Sequence, residues 1–306
     1  MKKPSFDPGL TQQYIKPLSR VINKDGEFNV RRTGGAWNDF HPYMHLINMS
    51  WPVFLVTIFV GYFLINLIFA CIYSAVGVEQ LDGANAPTAL GRFLNMFFFS
   101  SHTLSTVGYG NISPRGIGAN TVAAFEALTG VLGLAVATGL LFGRISKPSA
   151  RIGFSPNVLV APYQDGTALE FRVANRRSNA LIEAQAKLLL MTVEPGNGGL
   201  KRNFSLLNLE RDGVMFLAAP WTIVHPIDHD SPLWGKTAED LTREQAEVLI
   251  LIKAYDDTFA QTVQARYSYR HDEFVWGRKF APAFSIDSGG ELVVDLNKIG
   301  DIDMAG

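Results

Sequence analysis

Cysteine is nearly absent: Cys71 stands alone in 306 residues, so no disulfide can close within the chain and no cysteine cluster can hold zinc. A surplus of either charge is missing too. The 27 Lys and Arg almost balance the 28 Asp and Glu, for a formal net charge of −1, which leaves no electrostatic footprint for a nucleic-acid partner. No Ser or Cys is framed by a His as a nucleophile-base pair requires, so an enzyme is not expected. The first thirty residues have no apolar core, which speaks against a signal peptide.

The most telling shortage is local. Between Trp51 and Val78 there is no charged residue, and between Gly116 and Gly143 there is one, Glu126. Each run exceeds the ~20 apolar residues that cross a hydrocarbon core, so transmembrane helices are predicted over 51–78 and 116–143. From Arg144 onward charge returns at ordinary density, as in a soluble domain. Lys2, Lys3, Lys16, Arg20, Lys24, Arg31 and Arg32 precede the first run, and Arg144, Lys147 and Arg151 follow the second. The connection holds only Arg92 and Arg115. The positive-inside rule then places both termini on the cytoplasmic side, here of the cell inner membrane.

Four stretches are expected: a flexible segment over 1–36, an interfacial helix over 37–50, a membrane unit over 51–147 and a β domain over 148–306. Trp37, Phe40, Tyr43, Leu46 and Ile47 suit a helix lying in the interface or a simple flank of the first span. Between the spans, residues 88–103 are apolar and aromatic (Leu90, Phe93, Leu94, Phe97, Phe98, Phe99) yet too short to cross. They read as a re-entrant half-helix, whose irregular continuation is tolerated when it lines an aqueous path. The negative C-terminal end of such a helix favours a cation.

Shortly beyond this half-helix the chain reads Thr106-Val107-Gly108-Tyr109-Gly110. In a soluble protein this would be a strand with glycine kinks, but its flanks are membrane spans. Dehydrating a potassium ion costs more than any side chain here offsets, so oxygens must replace its water, as TVGYG carbonyls do in potassium channels. Gly108 and Gly110 free alternate residues to take angles barred to others. K+ is therefore expected at Thr106, Val107, Gly108 and Tyr109, as a permeant ion and with no further cofactor. One loop supplies one wall of a cage, so a ring is required, most simply a homotetramer.

In the second span Gly130, Leu134, Thr138 and Phe142 recur every fourth residue, with Gly139 among the small residues nearby. The stripe reads as pore-lining, with Phe142 as the bulky plug, or as plain helix packing. Glu126, alone in an apolar span, is functional by default and is expected to face the back of the filter. Beyond Arg151 the strand candidates are 157–160, 169–173, 186–192, 214–217, 248–254, 273–276 and 292–296, with a helix over 238–246. Turns are expected at Asp165-Gly166, Asp212-Gly213, Ser288-Gly289-Gly290 and 195–199. Many short strands at this spacing predict a sandwich. His225, Asp228, His229 and Asp230 resemble metal ligands, but Pro226 and Pro232 favour a structural turn.

Further segments carry a resemblance: Phe142 to Pro148 (FGRISKP), Arg172 to Arg177 (RVANRR), Trp221 to Leu233 (WTIVHPIDHDSPL), Gln264 to Tyr269 (QARYSY) and Val275 to Gly277 (VWG). With the filter, they make the chain, from about Trp37 to Asp301, resemble the inward-rectifier potassium channels, most closely their bacterial members. That resemblance implies a two-span pore with pore helix and interfacial helix, a cytoplasmic immunoglobulin-like β sandwich, and a tetramer. It also implies modulation by anionic phospholipids at Arg144, Lys147, Arg151, Arg176 and Arg177, although such charges also set topology. Juxtamembrane Lys or Arg is worth about 1 kcal/mol each against an anionic leaflet.

Departures from the family pattern matter as well. His102 stands where many relatives carry Glu on the pore helix, so His102 and Glu126 become the candidates for filter support, and Asn111 follows the filter. Leu134 occupies the cavity position that is acidic or amide in strong rectifiers. Glu183 matches an acidic residue of the cytoplasmic pore, while Lys253 replaces another. Mg2+ and polyamines are thus expected to block weakly. A poorly selective cation channel and a non-conducting membrane-anchored binding or signalling protein remain as alternatives.

Overall fold

The computed structural model describes residues 8–10, 13–14, 20–31, 33–34, 41–147, 150–196 and 199–304. Lys2, Lys3, Lys16, Arg32, Trp37, Phe40, Pro148, Asn197 and Gly198 lie outside the described residues. The chain divides into one unit of Thr33–Lys147 and another of Met1–Arg32 with Pro148–Gly306, the latter opening on the short strand β1 (Gln13–Tyr14).

In the first unit, α1 (Pro42–Asn48) begins with proline in its first turn, where a missing N–H costs nothing. Then come α2 (Trp51–Val76), β2 (Leu81–Asp82), α3 (Ala89–Leu104), β3 (Ser113–Pro114) and α4 (Ile117–Ile145). Helices α2 and α4, of 26 and 29 residues and with mean hydropathy of 2.5 and 1.8 over their most apolar 18 residues, are long and apolar enough to span a membrane. The 16 residues of α3 reach about 24 Å at 1.5 Å per residue, short of a ~30 Å hydrocarbon core. Thr88 starts α3 by accepting from the Gly91 N–H at 3.0 Å. Ala70 and Tyr73 of α2, Met96 and Phe99 of α3 and Ala119 of α4 form the common core.

The second unit is a two-layer β sandwich. Its strands are β4 (Ile152–Phe154), β5 (Val158–Tyr163), β6 (Gly166–Asn175), β7 (Leu181–Gly196), β8 (Gly199–Leu207), β9 (Gly213–Phe216), β10 (Trp221–Ile227), β11 (Glu247–Asp256), β12 (Gln261–Arg270) and β13 (Phe274–Trp276). One sheet runs β1-β8-β7-β11-β12 with β9 beside β7; the other runs β10-β6-β5-β13 with β4 beside β6. Phe171, Leu188, Ile223, Val248 and Ile250 fill the space between them. In β7, Ala184, Ala186, Leu188 and Leu190 point inward while Gln185 and Lys187 point out. Glu183, at φ 50°, lies at a β-bulge that resets the alternation after buried Leu181. Short pairs β14 (Arg278–Phe280) with β17 (Ile302–Met304) and β15 (Phe284–Ile286) with β16 (Leu292–Val294) complete the unit.

The long strands β8, β10 and β12, and the short β1, β4, β14, β15 and β17, escaped the sequence expectation. Strand β10 contains Pro226, which argues against a central strand; it sits at a sheet edge, where a missing N–H is tolerated. Strand β12 is polar on its outer face, and its inward residues Val263 and Tyr269 are few. The helix expected over 238–246 is α5 (Ala238–Arg243), capped by Thr237. The flexible segment expected through residue 36 does not describe residues 20–31. There Val21 and Ile22 are buried, both Glu247 carboxylate oxygens accept from the Val21 N–H at 3.1 Å, and the Ser268 hydroxyl donates to the Ile22 carbonyl at 2.7 Å. Glu247 lies 226 positions away, out of reach of local composition.

Candidate functional site: the pore segment and its supports

The segment after α3 folds back on its own helix. The Val107 and Gly108 N–H groups both donate to the His102 carbonyl, at 3.0 and 3.2 Å, and the Thr106 N–H donates to Thr103 at 3.0 Å. Positive φ then alternates along the segment: Thr106 at 60°, Gly108 at 58° and Gly110 at 78°, with Val107 and Tyr109 between them on the ordinary side. Alternating handedness turns successive carbonyls of an extended segment toward one side, where ordinary pleating would send them to opposite sides. Glycine takes those angles without strain; Thr106 does not. Val107 and Tyr109 are exposed in the single chain. The His102 ring meets the Tyr109 ring edge-on at 4.8 Å, so this histidine supports the segment through both its carbonyl and its ring.

A buried polar cluster ties α2, α3 and α4 together. The Tyr73 hydroxyl lies 2.6 Å from one Glu126 carboxyl oxygen, and the Ser100 hydroxyl touches the other. Ser100 also lies 3.0 Å from the Asn66 side-chain oxygen, and the Asn66 amide donates to the Tyr62 carbonyl at 2.8 Å. Asn66, Tyr73, Ser100 and Glu126 are all fully buried. Glu126 therefore faces α2 and the middle of α3. Of this set the sequence reading found Glu126 alone; the signal for its partners was an Asn in an uncharged span and a Ser in an aromatic run.

The α4 stripe divides. Leu134 and Phe142 are 67% and 71% exposed in the single chain, and Thr138 and Gly139 are exposed with them. Gly130 is a correction to the pore-lining stripe: it is buried, and a Cβ there would lie 2.1 Å from the Leu104 carbonyl oxygen. A spacing of four in a helix of 3.6 residues per turn drifts about 40° at each step, so Gly130 and Phe142 cannot share one face. Gly130 instead lets α4 touch the end of α3.

The five basic residues fall into two groups. At the end of α4, Arg144 donates to the Leu46, Ile47 and Met49 carbonyls at 2.6, 2.8 and 2.7 Å, and Lys147 donates to the Asn48 side-chain oxygen at 2.6 Å. The Arg144 guanidinium also stacks over the Trp51 and Phe54 rings at 4.7 and 4.4 Å. A lipid phosphate would have to compete with these bonds. In the β unit, the Arg176 N–H donates to the Arg151 carbonyl at 2.8 Å, and Arg177 follows, so the three positions adjoin along the backbone at the end of the β4–β6 pair. Glu183 and Lys253 are both exposed on the outer face of the β7–β11 pair.

His225 is a structural residue. Its Nδ1–H donates to the Asn208 carbonyl at 2.5 Å and its Nε2 meets the Ser231 hydroxyl at 2.8 Å. Burial pushes this imidazole below its usual value, against an upward pull from the Asn208 carbonyl. A second arrangement escaped the sequence: Arg20 and Lys24 both pair with Glu273, just after β12, at 2.5 and 2.7 Å, and both donate to the Ser268 carbonyl of β12.

Comparison with known proteins agrees with this architecture. Residues 152–304 match the model of the inward rectifier potassium channel C-terminal domain, and residues 53–147 match an ion channel model. The chain is 38% identical to the inward rectifier potassium channel Kirbac3.1 of Paramagnetospirillum magnetotacticum over 92% of its length and 95% of that protein. It is 27% identical to the G protein-activated inward rectifier potassium channel 4 of Bos taurus, over 94% of this chain and 73% of that protein. With channel 3 of Homo sapiens it shares 29%, over 93% and 78%. Two membrane-spanning helices, a short helix running into TVGYG and a β sandwich thus occur in a chain that belongs to the inward rectifier potassium channel family.

Proposed function

We propose that four copies of this chain form a passive potassium pathway in the cell inner membrane, with both termini cytoplasmic. The observation that carries this is the alternation of positive φ at Thr106, Gly108 and Gly110 directly after a helix too short to span the bilayer. Main-chain oxygens of Thr106, Val107, Gly108 and Tyr109, four-fold repeated, replace the water of K+. The negative end of α3 lowers the cost of a cation waiting below. Leu134, Thr138, Gly139 and Phe142 line the path and its inner constriction. Glu183 contributes to a cytoplasmic extension of the path, while His102 and Glu126 hold the filter in place. Lys147, Arg151, Arg176 and Arg177 attract anionic phospholipids, and Arg144 serves this group mainly by holding α1. Because Leu134 and Lys253 stand where block by Mg2+ or polyamines needs negative charge, rectification is weak.

Potassium flux into liposomes containing the purified chain tests this. Barium-sensitive uptake with strong preference for K+ over Na+, and cross-linking that ends at four copies, is the expected result. Equal K+ and Na+ uptake would support a poorly selective cation channel. No uptake under any lipid composition would leave a membrane-anchored binding protein.

A further inference from the structure

We infer that Glu126 acts as a neutral carboxylic acid, donating a hydrogen bond of its own, and that in this form it positions α3 and, through α3, the filter segment hung from that helix. The inference deepens the channel reading and rests on it for its functional consequence, but the protonation state stands on a count of hydrogens. The cluster contains three oxygen–oxygen links: Tyr73 to Glu126, Ser100 to Glu126, and Ser100 to Asn66. Each link needs one hydrogen between its oxygens. Tyr73 supplies one and Ser100 supplies one.

The Asn66 amide cannot supply the third. Its N–H2 donates to the Tyr62 carbonyl at 2.8 Å, and exchanging its oxygen and nitrogen would set two acceptors against each other there. Asn66 therefore presents its oxygen to Ser100, the single Ser100 hydrogen goes to Asn66, and the contact between Ser100 and Glu126 is left without one. The remaining hydrogen has to be the carboxyl's own. Reversing the Tyr73 link changes which oxygen carries it and not the total. Among the described residues no ion pair reaches Glu126, so no buried cation offsets a negative charge at this site, which is itself fully buried.

Bonded in this way, the acid joins three elements. Asn66 and Tyr73 belong to α2, Ser100 to α3 and Glu126 to α4. Ser100 lies one turn before Leu104, whose carbonyl abuts Gly130 one turn beyond Glu126 on α4. The two helices are thus fixed to each other at successive turns, by a hydrogen-bonded chain and by a glycine contact. Because the filter N–H groups hang from the His102 carbonyl, displacement of α3 displaces the filter.

The test uses the full chain in liposomes, with infrared spectroscopy at neutral pH and flux on the same samples. Difference spectra between the parent and Glu126→Gln should show the carbonyl stretch of a neutral carboxylic acid in the parent, lost in the variant. A carboxylate band lost in its place would overturn the inference. In flux, Glu126→Gln keeps all three links, since its amide N–H donates to Ser100 and its oxygen accepts from Tyr73, so K+ uptake and selectivity should stay close to the parent. Glu126→Ala leaves the buried Tyr73 hydroxyl unpaired and cuts the link between Ser100 and α4, and should lower uptake or K+ preference by at least about tenfold. Glu126→Gln as damaging as Glu126→Ala would also overturn it. If Glu126→Ala does not assemble, Ser100→Ala, which cuts α3 out of the chain of bonds, should give the same loss, and uptake unchanged in that variant counts against the positioning role. A parent that carries no K+ would sink the channel reading, while the infrared arm still decides the state of Glu126.

Discussion

The two units bury their apolar residues in opposite ways. In the β unit, side chains of both sheets close on one another, and Phe171, Leu188 and Ile223 are fully buried. In the membrane unit, only 17% of the most apolar window of either spanning helix is buried inside the chain, and Phe59, Phe125, Leu134 and Phe142 stand exposed. One unit carries an extensive core of its own, while the other leaves most of its apolar surface uncovered by the chain itself. Beside a small apolar core that includes Phe54, Tyr73, Met96 and Phe99, the membrane unit buries small and polar residues on its helices: Ala70, Ala119, Gly130, Asn66, Ser100 and Glu126. Close approach and hydrogen bonding between helices there supplement an apolar core smaller than that of the sandwich.

The contrast is broken most severely by equal truncations. Phe171→Ala should destabilise the β unit by about 3–5 kcal/mol, read from denaturant unfolding, whereas Leu134→Ala should stay within about 0.5 kcal/mol in the same assay. Next comes Gly130→Ala. Its added methyl group has to displace the Leu104 carbonyl, at about 1–3 kcal/mol of overpacking, and should lower the thermal stability of the assembled protein together with its K+ uptake.

The N-terminal clamp sharpens the comparison from the β side. Glu247→Ala removes the acceptors of the buried Val21 N–H and should cost about 1–3 kcal/mol, seen as faster proteolysis of residues 20–31. The same clamp depends on pH. Burial pushes Glu273 up, but Lys24, the Arg270 N–H and Arg20 outweigh it and hold the carboxyl below its ordinary 4.5. A depressed carboxyl stabilises above its unfolded value and ceases to do so as pH falls through its folded one. The segment should therefore hold at neutral pH and loosen only in acid below about 4.5, measured by hydrogen exchange at Val21 and Ile22 corrected for intrinsic rates. The smallest structural change carries a functional readout: Leu134→Asp should leave stability nearly unaltered and strengthen block by internal spermine, and an unchanged current-voltage curve would count against its place in the path.

Legibility in the sequence followed the same divide. The spans were plain because a bilayer demands some twenty uncharged residues in a row, and Thr106 to Gly110 was plain because few other uses exist for that pattern between spans. Glu126 stood out as the lone charge of its run, but Asn66, Tyr73 and Ser100 did not, since each is ordinary in a membrane helix and only the packing of α2, α3 and α4 joins them. Gly130 was placed on the wrong face because a count of four was taken for one helical stripe. Strand β10 was hidden by Pro226, and the hold of Glu247 on Val21 by the length of chain between them. Contacts distant in sequence leave little local trace, and most of the support structure consists of them.

The three carbonyls held by Arg144 have a mechanical consequence. They belong to the last residues of α1 and its exit, and one planar guanidinium grips them all. A rigid fork tolerates little sliding. Any displacement of the C-terminal end of α4 must therefore either surrender these bonds together or carry α1 with it, so the two helices are coupled as one mechanical piece.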